Sequence, residues 1–407
     1  MVQVILLATL TAAVAQGTPL LITALGEIMT QRSGVLNLGL EGMMLIGAAA
    51  SFIALVNTNS LILAVLIGAL CSGLLALVHA FLSITCRVHQ VICGLALNIF
   101  AGGLSGYLGK DYNGIAAPKV LPSFRPDPAV NLHKAGFADY LRKLEETVGR
   151  EISTVEDVRQ ALSVRIAFFD AHGCRSADHG LDYVMFRPAS DMAATAALRK
   201  ARAGEPLTRE EAEGYQTALL LHCAREYARL GWVMQLHFSC MRNPNTKILK
   251  TLGPDTGFDC MAVTDSCSAT YRLLDTLEQE ASLPRTVLYS LNPADNAWID
   301  TLLGAFQSPE IPGKIQHGSA WWFNDHKAGM TEHLTSLANL GVLGNFIGML
   351  TDSRSLLSYA RHEYFRRVLC DLLGRWVENG EYPRDMETLG GLVQDICCHN
   401  AKRYFNL

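Results

Sequence analysis

The sequence predicts an α/β fold: an incomplete parallel α/β barrel preceded by an all-α transmembrane segment. Three observations carry that expectation. The first is a partition of charge. The chain has 407 residues with 34 Lys and Arg and 38 Asp and Glu, yet residues 1–109 hold only Glu27, Arg32, Glu41 and Arg87. The second is an alternation, after residue 114, of short apolar runs with amphipathic helical patterns, the signature of a parallel sheet covered by helices. The third is a polar residue just after nearly every strand candidate, where such folds build their sites. The apolar content excludes disorder. The net charge of −4 and the lack of a long basic run exclude generic nucleic-acid binding.

The charge-poor region, residues 1–113, comes first. Four apolar stretches are readable: Val2–Leu25, Leu36–Val56, Leu61–Thr85 and Val88–Leu108. Each approaches the roughly 20 residues that cross a hydrocarbon core as a helix. None has the polar stripe of a soluble amphipathic helix. Gly102 and Gly106 offer a small-residue seam, a motif that plain apolar composition also produces. Glu41, His79 and His89 are ionisable groups at or near membrane depth, which marks them either as functional or as helix-end residues reaching water. Arg32 and Arg87 flank loops on one face if all four segments cross, and positive residues favour the cytoplasm. A C-terminal domain then emerges opposite; one re-entrant segment restores a cytoplasmic placement. The N-terminus lacks the basic start of a signal peptide. Eleven scattered cysteines without a CxxC pair read as reduced, mostly buried thiols.

Residues 114–407 form the second domain. Its strand candidates are Lys119–Phe124, Asp182–Phe186 or the segment just before it, Val233–Phe238, Thr286–Leu291, Lys314–His317 and Asn345–Leu350. A helix begins after Ser153 and Thr154, with Glu156 and Asp157 in its first turn. Another follows Asn292-Pro293, since proline is preset for a first helical turn. Leu356–Glu378 and Met386–Tyr404 read as long helices. No GxGxxG or GxxxxGK[ST] pattern is present, so nucleotide binding has little support.

The polar residues sit in register with this pattern. Arg125 follows the first strand candidate, Arg175 and Asp178 flank the second, and His237 ends the third with Arg242 and Asn243 beyond it. Asn292 and Asp295 follow the fourth, Trp321 and Trp322 the fifth, Asp352 and Arg354 the sixth. Each has a bland reading. Arg125 can tie a loop to the rim, Asp178 can cap a helix or pair with Arg175, and His237 can be a satisfied core histidine. Asp352 with Arg354 can be a structural pair, and the two tryptophans can be packing alone. Their recurrence at strand ends favours a site for acid/base work on an anionic, hydroxylated substrate. Guanidinium binds carboxylate in a two-pronged way, which suits Arg125 and Arg354. Carboxylates such as Asp178 and Asp352 accept hydroxyls, ligate metals or move protons, and His237 suits proton transfer. No HxH or HExxH pattern accompanies them, and zinc usually takes three protein ligands.

Two resemblances follow from particular motifs. The run Gln31-Arg32-Ser33-Gly34-Val35-Leu36-Asn37-Leu38-Gly39-Leu40-Glu41-Gly42-Met43-Met44 resembles the permease subunits of ABC importers for simple sugars and nucleosides. That likeness covers residues 1–113, the opening third or so of such a permease. It implies a membrane location and, if transport is the role, an ABC ATPase partner. From about residue 115 the chain resembles uronate (glucuronate) isomerase of the amidohydrolase superfamily. The motifs are Val120-Leu121-Pro122-Ser123-Phe124-Arg125-Pro126-Asp127, Gly173-Cys174-Arg175-Ser176-Ala177-Asp178-His179-Gly180, Met234-Gln235-Leu236-His237-Phe238, Leu252-Gly253-Pro254-Asp255-Thr256-Gly257-Phe258-Asp259, Gly318-Ser319-Ala320-Trp321-Trp322-Phe323-Asn324-Asp325, and Leu350-Thr351-Asp352-Ser353-Arg354-Ser355.

The second resemblance implies a (β/α)8 barrel that interconverts D-glucuronate and D-fructuronate, and D-galacturonate and D-tagaturonate, through an enediol. It implies Asp352, His237 and Asp178 as catalytic residues and Arg125, Arg354, Trp321 and Trp322 as substrate contacts. It also implies a divalent metal, zinc, with Asp352 as a ligand. Two further histidine ligands and a tyrosine belong to the family's first strands, for which this sequence has permease-like residues instead. Six strand–helix units stand where the family has eight. The sequence therefore reads as a fusion of two incomplete frames joined near Gly114–Pro122. Its expected location is the inner membrane, with the isomerase-like part cytoplasmic. A transport fragment and an inactive fusion are the alternative readings.

Overall fold

The computed structural model describes residues 23–35, 37–109, 120–254, 256–353 and 356–407. Its contacts divide the chain into two units, one reaching Pro118 and the other built from Lys119–Ser353 and Ser358–Leu407. Most of the first apolar stretch, Val2–Leu25, and most of the expected join, Gly114–Pro122, lie outside the described residues.

In the first unit, residues 23–32 are helical and are followed by α1 (Leu40–Thr58), α2 (Leu61–Ala80) and α3 (Gln90–Gly109). A π-helical turn, Phe81–Thr85, extends α2. Among the described residues, three helices are thus long and apolar enough to cross a membrane. The Gln31–Met44 motif closes the preceding helical run and opens α1, whose first five residues are Leu40–Met44. Gly34 takes a left-handed φ of 85°, which glycine adopts without strain. Asn98 on α3 clamps the start of α1: its side chain accepts from the Gly42 amide at 2.7 Å and donates to the Leu38 carbonyl at 2.9 Å. Glu41 is the second residue of α1, where a carboxylate complements the positive helix end. Close packing of α1 on α2 runs through Gly47 and Gly68, where any Cβ would overlap Ser72 or Ser51. Gly102 and Gly106 face open space.

The second unit contains a parallel sheet of β1 (Ser176–Gly180), β2 (Val233–Phe238), β3 (Arg285–Ser290) and β4 (Ile315–His317), in that order. Among the described residues this sheet has four strands rather than the six expected. Lys119–Phe124 contributes a single bridge, Phe124 to Ala177. Pro122 has no N–H to give a ladder. Asp182–Phe186 is not a strand, and the segment before it is. Beyond β1 the chain turns to side-chain acceptors, the Val184 amide to Ser266 Oγ and the Arg187 amide to Thr217 Oγ1. Asn345–Leu350 is also not a strand. Asn400 donates to the Gly344 and Phe346 carbonyls and Gln316 to the Asn345 carbonyl, so side-chain amides satisfy groups a ladder would have used.

Helices cover this sheet. They are α4 (Phe137–Val148), α5 (Val155–Ala171), α6 (Asp191–Ala203), α7 (Arg209–Leu230), α8 (Cys267–Gln279), α9 (Asn296–Ala305), α10 (Lys327–Leu340) and α11 (Ala360–Glu378). Thr154 and Asp157 close a reciprocal capping box on α5, as expected from Ser153-Thr154. Asn292 caps the turn at Pro293, and α9 follows it. The chain ends in a helical run through Met386–Gln394, Asp395–His399 and Asn400–Phe405. All eleven cysteines are free. Trp232, Tyr215 and Tyr227 are the largest wholly buried side chains of the core.

The Tyr404 hydroxyl fastens the final helix to the sheet, 3.1 Å from the Thr286 carbonyl and 2.8 Å from the Lys314 carbonyl. Tyr404→Phe is expected to cost about 1–2 kcal/mol, because one donor serves two buried acceptors. Urea unfolding checks this, and an unchanged midpoint refutes it.

Candidate active site

The site residues begin with the backbone. Parallel strands end at the same side of a sheet, so β1 and β2 deliver Asp178 and His237 to neighbouring positions: Gly180 pairs with His237, and Asp178 with Gln235. Phe124, bridged to Ala177, places Arg125 beside Asp178. The Asp178 carboxylate stands between the Arg125 guanidinium and the His237 ring. Its Oδ2 lies 3.2 Å from Arg125 Nη1. Its Oδ1 lies 2.7 Å from His237 Nδ1, a close polar contact set off the line of an ideal hydrogen bond. Burial alone would raise the Asp178 pKa, but His237 and then Arg125 outweigh it and hold the group below the ordinary carboxylate value.

Arg125 is fixed from its other side as well. Its Nε donates to Asp127 Oδ2 at 2.7 Å, and Asp127 also receives the Gly180 amide at 3.0 Å. A Cβ at position 180 would collide with the guanidinium, so Gly180 keeps that space open. The ring of His237 is held by aromatic contacts. Tyr289 of β3 stacks on it with centroids 4.2 Å apart and planes 3° apart, and Trp321 meets it edge-on at 4.8 Å.

The two expected tryptophans have different settings. Trp321 is buried, and its indole Nε1 has no partner among the described residues. Trp322 is 38% exposed, with a left-handed φ of 50°, and carries the Arg242 guanidinium 4.8 Å above its ring. Arg242 in turn pairs with Asp259 at 2.8 Å. Asp352 is exposed and has a left-handed φ of 41°. Desolvation raises its pKa, and the negative Asp178 adds to the rise, whereas His237, Arg125 and Arg242 pull it down. Those influences place Asp352 within electrostatic reach of the Asp178–His237 pair. Arg354 lies outside the described residues.

Sequence reading missed Asp127 and Tyr289 as members of this site. Tyr289 sits in an apolar run, Arg285–Ser290, that reads as core alone. Its signal is Gly318, where a Cβ would overlap the Tyr289 ring. Gly318→Ala is therefore expected to push Tyr289 against His237 and to lower stability by about 1–3 kcal/mol. A thermal unfolding midpoint equal to that of the parent chain overturns this.

The donor set does not fit a metal centre as it stands. Among the described residues, no group of three or more His, Cys, Asp or Glu side chains is placed to hold an ion. Asp178 and His237 face each other, and Asp178 is also paired with Arg125.

Comparison with known proteins gives two family matches. The glucuronate isomerase model matches residues 110–405. A model of the permease component of branched-chain amino acid transport systems matches residues 9–137. This match bears out the permease likeness of residues 1–113. The uronate isomerase of Lachnoclostridium phytofermentans is 53% identical over 287 residues, 70% of this chain and 62% of the relative. That of Salmonella paratyphi B is 50% identical over 290 residues, 71% of this chain and 62% of the relative. The chain thus spans less than two thirds of the length of these relatives. Among solved structures, the Thermotoga maritima uronate isomerase matches with a TM-score of 0.67 at 32% identity, covering 74% of this chain and 64% of that one. The glucuronate isomerase of Caulobacter crescentus matches with a TM-score of 0.64 at 26% identity, covering 70% and 58%.

Proposed function

The chain belongs to the glucuronate isomerase family, and on that premise we propose that its second unit interconverts D-glucuronate and D-fructuronate. The observation that carries this reading is the Asp178 carboxylate, held between Arg125 and His237 where adjacent parallel strands end. D-galacturonate and D-tagaturonate are the second substrate pair. The scaffold is proposed to be part of a (β/α)8 barrel of the amidohydrolase type.

Aldose–ketose isomerisation moves two protons. In the open-chain aldehyde, the C2–H bond breaks and its electron pair forms the C1–C2 double bond as O1 gains a proton. The enediol then loses the O2 proton, and a proton returns to C1. Asp352 suits the carbon-bound proton, since a carboxylate with a raised pKa both takes and releases it. His237, oriented by Asp178, exchanges protons with O1 and O2. Arg125 and Arg354 bind the substrate carboxylate, and Trp321 and Trp322 wall the site. The resemblance also implies zinc with Asp352 as a ligand, but the described residues do not complete that donor set and no step above uses it.

Incubating the purified full chain with D-glucuronate and following D-fructuronate by NMR tests the proposal. Product formation abolished by Asp352→Asn is expected. Absence of product, with no uronate binding, overturns it.

The first unit supports a second role. Three apolar helices among the described residues and the permease match support membrane insertion, and we propose a cytoplasmic side for the isomerase-like part. Transport with an ABC ATPase is the alternative function, and an inactive fusion the third. Protease protection in sealed vesicles distinguishes the two orientations.

A further inference from the structure

We infer that the Arg125 guanidinium serves as the fixed cation of the Asp127–Asp178 carboxylate cluster in place of a metal ion, so that this chain binds uronate without a divalent cation. The inference rests on the uronate reading of the same site. It also departs from the metal that the family resemblance implies.

The argument starts from the space available. Gly180 leaves room that only a residue without Cβ can leave, and the guanidinium fills it. Asp127 Oδ2 holds Nε at 2.7 Å, and Asp178 Oδ2 holds Nη1 at 3.2 Å. Two of the five donors of the guanidinium are engaged in this way. The remaining Asp178 oxygen is 2.7 Å from His237 Nδ1. His237 cannot swing away easily, because Tyr289 lies flat against it and Trp321 closes its edge. Asp178 is therefore held by Arg125, and His237 is confined beside it.

A zinc ion needs about three protein donors in a tetrahedral arrangement. Drawing them from here would take Asp178 from Arg125 and leave the half-exposed guanidinium one carboxylate short. It would also place a dication beside Arg125, with Arg242 nearby in the field of Asp352. Like charges at such separations repel strongly when partly desolvated. Arg125 already supplies a positive charge beside Asp178 and, after His237, helps to hold its pKa down. Arg125 is thus a positioning residue for the Asp178–His237 pair, with guanidinium donors left over for substrate oxygens.

The test uses the full chain in detergent. Zinc bound after equilibrium dialysis against ZnCl2 is measured by mass spectrometry, and D-glucuronate binding by calorimetry with EDTA or with ZnCl2. Zinc well below one per chain, with a glucuronate Kd unchanged by EDTA, is expected. Arg125→Lys keeps the charge but loses the fork, and is expected to weaken glucuronate about tenfold in EDTA. One zinc per chain with binding abolished by EDTA overturns the inference while the isomerase reading stands. No glucuronate binding in either buffer overturns both. An Arg125→Lys chain that binds glucuronate as tightly as the parent also overturns the role given to Arg125.

Discussion

Replacing His237 by Gln is expected to reduce glucuronate turnover by about 10²–10⁴-fold, the range that a positioned acid/base group contributes. Glutamine has similar reach and can still face Asp178, so the strand is not disturbed. It cannot carry a proton between O1 and O2. The loss should fall on kcat rather than KM, because the substrate carboxylate is proposed to be bound by guanidinium groups. Asp178→Asn removes the charge that orients the imidazole and keeps the volume. Its effect should be nearly as large and should not add fully to that of His237→Gln, since the two side chains lie 2.7 Å apart and act as a unit. A double variant no slower than either single one supports the pairing. If His237→Gln retains more than a tenth of the parent turnover, the acid/base role of His237 is wrong. Circular dichroism of each variant separates chemistry from unfolding.

Much of this site was legible in the sequence because strand ends are legible. Val233–Phe238 is an apolar run closed by His237 and Phe238, and its strand has those bounds. Thr154 and Asp157 announce a helix start by chemistry that acts within four residues. Gly102 and Gly106 show the limit of such local signals, since the helix packing uses Gly47 and Gly68 instead. The failures share a cause: partners distant in sequence. Asn345–Leu350 has a strand's composition, yet Gln316 and Asn400 supply its hydrogen bonds. Tyr289 reads as core because nothing in Arg285–Ser290 reveals that His237 will lie against its ring. Asp352 was recognisable from its motif, whereas its left-handed backbone was not.

The Asp300–His317 pair carries the largest expected effect on stability, and no motif points to it. His317 ends β4, Asp300 lies on α9, and Ser336 lies on α10. The side chains of His317 and Asp300 are 3% and 0% exposed. Asp300 Oδ1 is 2.7 Å from His317 Nδ1, and Oδ2 accepts from Ser336 Oγ at 2.5 Å. One carboxylate therefore ties two helices to the end of a strand. Beside it, the His333 ring meets His317 at 4.3 Å. Burial, reinforced by His317, lowers the His333 pKa well below the ordinary imidazole value and keeps that ring neutral. Asp300→Ala strands His317 and Ser336 without their acceptor and opens a void between the helices. Removing one partner of a buried pair costs about 3–5 kcal/mol. That is a large share of the roughly 5–15 kcal/mol that holds a domain folded. Asp300→Asn keeps the volume and one acceptor oxygen, and is expected to cost about 1–3 kcal/mol. Urea unfolding of the full chain should give that order of midpoints with an unchanged slope. If Asp300→Ala unfolds at the same midpoint as Asp300→Asn, the carboxylate is not what joins these elements, and packing around Ile299 and Leu303 holds α9 to the sheet without it.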